Sequence, residues 1–124
     1  MGLISPAGTP AALRAAVDAG ADAVYCGFSD ETNARNFPGL NFSRAEMAEA
    51  VTYAHRRGAK VLIAINTFPR AGALAPWHAA VDDAVHLGGD ALIIADIGLL
   101  AYAASAHPKQ RLHLSVQAAA ANPD

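Results

Sequence analysis

Three short stretches of this chain repeat one design: Gly20-Ala21-Asp22-Ala23-Val24, Gly58-Ala59-Lys60-Val61-Leu62 and Gly89-Asp90-Ala91-Leu92-Ile93. Each is a glycine that can end a helix, then one or two linking residues, then an apolar run. Measured glycine to glycine, from 20 to 58 and from 58 to 89, they lie 38 and 31 residues apart. A period near 30 residues that joins a helix end to a strand start is the βα unit. It restricts the chain to α/β folds with parallel strands and right-handed crossovers.

Local signals fill in the units. Thr9 can cap a helix that opens on Pro10, carries Leu13, Ala16 and Val17 on one stripe and ends at Gly20. Ser43-Arg44-Ala45-Glu46 is a capping box for a second helix, with Met47, Ala50, Val51 and Ala54 on one face and Gly58 at its close. A third helix is expected from near Pro76 to Gly88-Gly89, and a fourth from an Asp96 cap to about Ala106. Strands are expected at Leu3-Ile4-Ser5, 22–27, 60–66, 91–95 and 112–117. The middle ones are nearly continuous in apolar residues, as strands covered on both faces are. Charged residues make up 16% of the chain, against a usual quarter, which fits elements covered on more than one side.

Two closures compete. A doubly wound sheet suits 124 residues. A β/α barrel needs eight units and roughly 250 residues. Along Leu62-Ala64-Asn66, Leu92-Ile94-Asp96 and His113-Ser115-Gln117, one alternating face turns polar at its C-terminal end, and Ala23-Tyr25 does so more weakly. Val61-Ile63-Ile65 and Leu112-Leu114-Val116 stay aliphatic. One helix-packed face and one face of small and polar residues favour a barrel interior. The expected fold is therefore the N-terminal half of a TIM-like β/α barrel, with five strands and about four helices. Residues 1–124 then form a partial domain, cut short on its C-terminal side.

Other classes are disfavoured. Nine Lys and Arg against eleven Asp and Glu leave a net charge of −2, so no strongly basic surface for nucleic acid is implied. No apolar run reaches the roughly 20 residues of a membrane span. The start, Met1-Gly2-Leu3-Ile4-Ser5-Pro6, lacks a basic leader region, so a cytoplasmic protein is expected. The single cysteine, Cys26, excludes an internal disulfide and reads as a buried thiol.

In either closure ligands bind beyond the C-terminal strand ends. Ser5, Tyr25, Asn66, Asp96, Ser115 and Gln117 stand there, although Asp96 could serve as a helix cap alone. The 28–42 segment is a long loop on the same side and mixes Asn33, Arg35, Asn36 and Asn41 with Phe37, Leu40 and Phe42. Arg35 offers a planar fork for a carboxylate or phosphate, or else staples the loop to Asp30 or Glu31. His55, His78 and His86 read as solvated helix residues and His113 as an interior one; no pair has metal-ligand spacing.

Ser5-Pro6-Ala7-Gly8, the Gly20–Tyr25 run, Thr32-Asn33-Ala34-Arg35-Asn36-Phe37, Gly39-Leu40-Asn41-Phe42, Ala64-Ile65-Asn66-Thr67 and Ser115-Val116-Gln117 together resemble the collagenase-like peptidase family, in particular its ubiquinone-biosynthesis branch. That resemblance implies a barrel, oxygen-independent hydroxylation of a quinone precursor, a UbiV-like partner and a four-iron, four-sulfur cluster whose cysteines lie beyond this chain. It matches Asn33, Arg35, Asn36, Asn66 and Gln117 to motif positions. With Asp96 from the strand-end argument, these are the candidate substrate-binding residues; no metal ligand and no catalytic residue is identified. Two other functions stay open: a peptidase, for which Ser5, Ser115 and Cys26 show no convincing His or Asp partner, and a non-catalytic binding subunit.

Overall fold

A computed structural model describes residues 2–33 and 40–115. Strands and helices alternate: β1 (Ile4–Pro6), α1 (Pro10–Asp18), β2 (Ala23–Gly27), α2 (Arg44–Arg56), β3 (Lys60–Ile65), α3 (Ala75–His86), β4 (Ala91–Ile94), α4 (Ile97–Ala106) and β5 (Leu112–Leu114). All four strand pairings are parallel, and the spatial order is β1-β2-β3-β4-β5. A doubly wound sheet reverses its order at a switch point. This one never does, so it is compatible with half of a TIM-like barrel. No helix among the described residues is long and apolar enough to cross a membrane.

The helix starts follow the local chemistry. The Thr9 side chain accepts from the Ala12 N–H, and Ser43 with Glu46 forms the reciprocal capping box. Asp96 Oδ2 accepts from the Leu99 N–H at 2.8 Å, so its carboxylate is engaged as the α4 cap. The third helix begins at Ala75, one residue before Pro76, and Leu74 gives it no side-chain cap.

The repeated joins have a mechanical role. Asp22 Oδ2 accepts the Leu3 N–H at 2.7 Å, and Asp90 Oδ2 accepts the Val61 N–H at 2.8 Å. Each aspartate stands just before its own strand and clasps the start of the preceding one. Lys60 occupies the equivalent place in the middle join and cannot accept such a bond.

Helices pack on one face of the sheet. Val24, Val61, Ile63, Ile65, Leu92 and Ile94 are fully buried there against Leu13, Met47, Val81 and Ala103. The opposite, interior face carries Ile4, Tyr25, Leu62, Ile93 and His113, and Ile4 and Tyr25 are 57% and 39% exposed. His113 lies on that face as its alternation implies, but it is exposed.

The fourth strand corrects the sequence reading by one residue. Ile63 pairs with Leu92 and Ala64 with Ile93, so Leu92 and Ile94 face the helices, and Ala91 and Ile93 face the interior. Asp96 follows the parity of Ile94, not that of Asn66. A one-residue change of phase moves every side chain of a strand to the other face. In an apolar run such as Ala91-Leu92-Ile93-Ile94 the residue types do not set that phase.

Candidate functional site

The ends of β1, β2 and β3 enclose a cleft of about 260 Å³ on the C-terminal side of the sheet. Its walls come from the Pro6-Ala7-Gly8 turn, from Tyr25, Cys26 and Gly27, from Ala64 and Asn66, and from Asn33 and Asn41 of the long loop. The Ala7 N–H donates to the Tyr25 carbonyl at 2.9 Å, which extends the parallel ladder past β1. None of the described lining residues is charged. The cleft therefore offers amides, a phenol and backbone groups.

The long loop is anchored at both ends. Phe28 and Phe42 form a parallel bridge and are both fully buried, while the Ser29 N–H donates to the Phe42 carbonyl at 2.9 Å. Leu40 is 39% exposed and adds little to this anchoring. Asn41 holds φ at 71°, in the left-handed region that asparagine tolerates better than most residues. Asn33 is buried, and its Nδ2 donates to the Phe28 carbonyl at 3.1 Å. The Asn66 N–H donates to the Thr32 carbonyl at 3.1 Å, so the end of β3 is tied to the same turn.

Of the residues expected from sequence, Asn33, Asn66 and Tyr25 come together in the cleft. Ser5 pairs with Val24 and so shares the helix-facing side of the sheet. The Ser115 N–H extends the β4–β5 ladder to the Ile94 carbonyl at 2.7 Å. Arg35, Asn36 and Gln117 lie outside the described residues. Gly8 and Gly27 were not expected to form the site, and Asn41, noted in the loop, was not among the candidate binding residues. Asn41 carried a signal, since an asparagine just before a helix cap suits a left-handed turn.

Nucleophilic chemistry finds no support at Cys26. Burial pushes its thiol up to about 12, and the Sγ atom lies 3.7 Å from Met47 Sδ. A thiol so held carries almost no thiolate at neutral pH. The cluster implied by the resemblance needs four thiolates, and the chain has one cysteine, so these residues do not fit that group. Among the described residues no three His, Cys, Asp or Glu side chains are placed to hold a metal ion.

Comparison with known proteins agrees with this picture at the level of family. The chain is 39% identical over 116 residues to a tRNA hydroxylation protein P of Helicobacter pylori, covering 94% of this chain and 27% of that protein. It is 39% identical over 118 residues to a 23S rRNA 5-hydroxycytidine synthase of Escherichia coli, covering 93% and 17%. An uncharacterized protease of Methanocaldococcus jannaschii is 36% identical over 115 residues, covering 93% and 27%. The chain thus spans about a quarter or less of the length of these relatives. A type I 3-dehydroquinate dehydratase from Clostridium difficile superposes with a TM-score of 0.58 at 16% identity, over 83% of this chain and 41% of that one, a likeness of fold alone. Residues 8–124 match the domain of Peptidase family U32, and the chain belongs to that family.

Proposed function

We propose that this chain supplies the substrate-facing half-barrel of a UbiU-like protein, which carries out oxygen-independent hydroxylation in ubiquinone biosynthesis in the cytoplasm with a UbiV-like partner. The iron-sulfur cluster of such a system would take its ligands from outside these residues. Hydroxylation is the activity named in several relatives, and those act on RNA.

The observation that favours a quinone precursor over RNA is that no described residue lining the cleft is charged. Asn33, Asn41, Asn66 and Tyr25 present amides and a phenol, which suit a neutral ring bearing hydroxyl or carbonyl groups. A polyanion needs several cations to replace its counterions, and the described lining residues provide none. In this reading Asn33 and Asn66 orient the ring. Arg35 receives an acidic group of the substrate or oxygen donor, Asn36 and Gln117 are further candidates for binding the substrate, and Asp96 shapes the neighbouring loop as a helix cap.

The test is anaerobic hydroxylation by the full-length protein. Asn66→Ala and Arg35→Ala should each lower kcat/KM for the quinone precursor by about tenfold or more, the effect of losing a hydrogen bond to a charged or closely held group. Unchanged quinone hydroxylation in both variants would remove the assignment. Hydroxylated RNA as the product would move the protein to the RNA-modifying branch.

A further inference from the structure

We propose that Arg44 is the positioning residue of the cleft: its guanidinium, stacked on Phe28, bridges Asp30 to Asp83 and so holds the 30–33 turn, with Asn33 at its end, against Gly27. The inference rests on the cleft being the substrate site.

The geometry carries it. Arg44 Nη1 donates to Asp30 Oδ2 at 2.9 Å and Arg44 Nε donates to Asp83 Oδ2 at 3.0 Å. The guanidinium carbon stands 3.7 Å from the centre of the fully buried Phe28 ring. The second oxygen of Asp30 accepts both the N–H, at 2.9 Å, and the hydroxyl of Thr32, at 2.5 Å. Thr32 is itself fully buried, and its carbonyl receives the Asn66 N–H. On the far side the Thr67 hydroxyl donates to the Glu31 carbonyl at 2.7 Å, and Trp77 Nε1 donates to that hydroxyl at 3.0 Å. The Asn33 N–H closes the turn on the Asp30 carbonyl at 3.1 Å. Each residue from 30 to 33 is thus fixed, and among the described residues Arg44 is the only cation in this set of bonds.

The ion pairs are a poor device for overall stability. The side chains of Arg44, Asp30 and Asp83 are 36%, 34% and 44% exposed, where solvent screens the attraction. Their effect is local geometry. Arginine suits the task because two edges of one rigid plane reach two carboxylates while its face covers an aromatic ring. Lysine has a single point of charge and cannot do all three.

Hydrogen exchange read by mass spectrometry on the full-length protein tests this, with Arg44→Met, Arg44→Lys and Asp83→Asn. The first two should raise exchange of peptides carrying the Thr32 and Asn66 amides by roughly five- to tenfold, with the Leu92 amide in the sheet unchanged. Arg44→Lys should fail to rescue. Asp83→Asn, which keeps the shape of the side chain, should give a smaller rise at the same amides. In an active protein the KM for substrate should rise in the same order while kcat changes less. Unchanged exchange at Thr32 and Asn66, or an equal rise at Leu92, would overturn the proposal, as would loosened exchange with KM unaltered. Inactivity of the unsubstituted protein would count against the hydroxylation reading, and the exchange data would still judge Arg44.

Discussion

The side-chain amide of Asn33 lies across Gly27: a Cβ on that glycine would stand 2.9 Å from Asn33 Cγ and 3.3 Å from the Ala64 carbonyl oxygen. The contact joins the end of β2 to the long loop and forms one wall of the cleft. Gly27→Ala should cost about 1–3 kcal/mol, the usual penalty for overpacking. Adding Asn33→Ala should return part of that loss, with a coupling of at least ~0.5 kcal/mol in a double-mutant cycle. Urea denaturation of the four proteins gives the answer, and strictly additive losses would argue against the contact.

The phase of β4 can be tested in the same way. Leu92 is fully buried under the helices, and Ile93 is half-buried on the interior face. Leu92→Ala should cost about 2–5 kcal/mol, the range for emptying a packed site. In this 124-residue chain Ile93→Ala should cost only about 1 kcal/mol, in line with the smaller apolar area it removes from water. The reverse order would show that the strand is turned the other way.

Between α3 and α4, Asp82 accepts a hydrogen bond from His107 Nε2 at 2.7 Å and from the Tyr102 hydroxyl at 3.0 Å to each oxygen. The bond from His107, foremost, and that from Tyr102 hold the Asp82 carboxyl below its ordinary range. A carboxylate with a lowered folded-state pKa adds stability above its unfolded value, and that stability disappears as pH falls through the folded value. The stability difference between the native chain and Asp82→Asn should therefore be constant above about pH 4 and shrink below it. Its size should stay under about 1 kcal/mol, because the side chain is partly exposed. Thermal melts from pH 7 to pH 2 would show this; a difference that widens in acid would contradict the role given to Asp82.

Cys26 should be inert in the folded chain. With the thiol pushed up to about 12 and the residue 5% exposed, iodoacetamide at pH 8 should react at less than roughly a hundredth of the rate seen for a free cysteine. Urea should restore the rate in step with unfolding. Fast labelling under native conditions would mean that the sulfur is reachable and that the packing around Met47 is wrong.

Much of the architecture was legible because it is written in local chemistry. Thr9, Ser43 with Glu46, and Asp96 each mark a helix start by an oxygen that satisfies a free N–H, and all three do so in the structure. The glycine joins mark where the first three helices must stop. The site was legible only in part. Asn33 and Asn66 stood out as polar residues near strand ends, whereas Gly27 matters through what another segment lays over it. Arg44 read as an ordinary helix residue, because its partners are 14 and 39 positions away.

The sequence alone determined the succession of βα units and the side of the sheet on which ligand-binding loops gather, since caps, glycines and apolar periods act within a few residues. The tertiary structure decided the unreversed strand order, the orientation of Leu92 and Ile93, and the joining of Asn33, Gly27 and Asn66 into one cleft. Those outcomes depend on hydrogen-bond register and packing between segments distant along the chain, which no local pattern specifies.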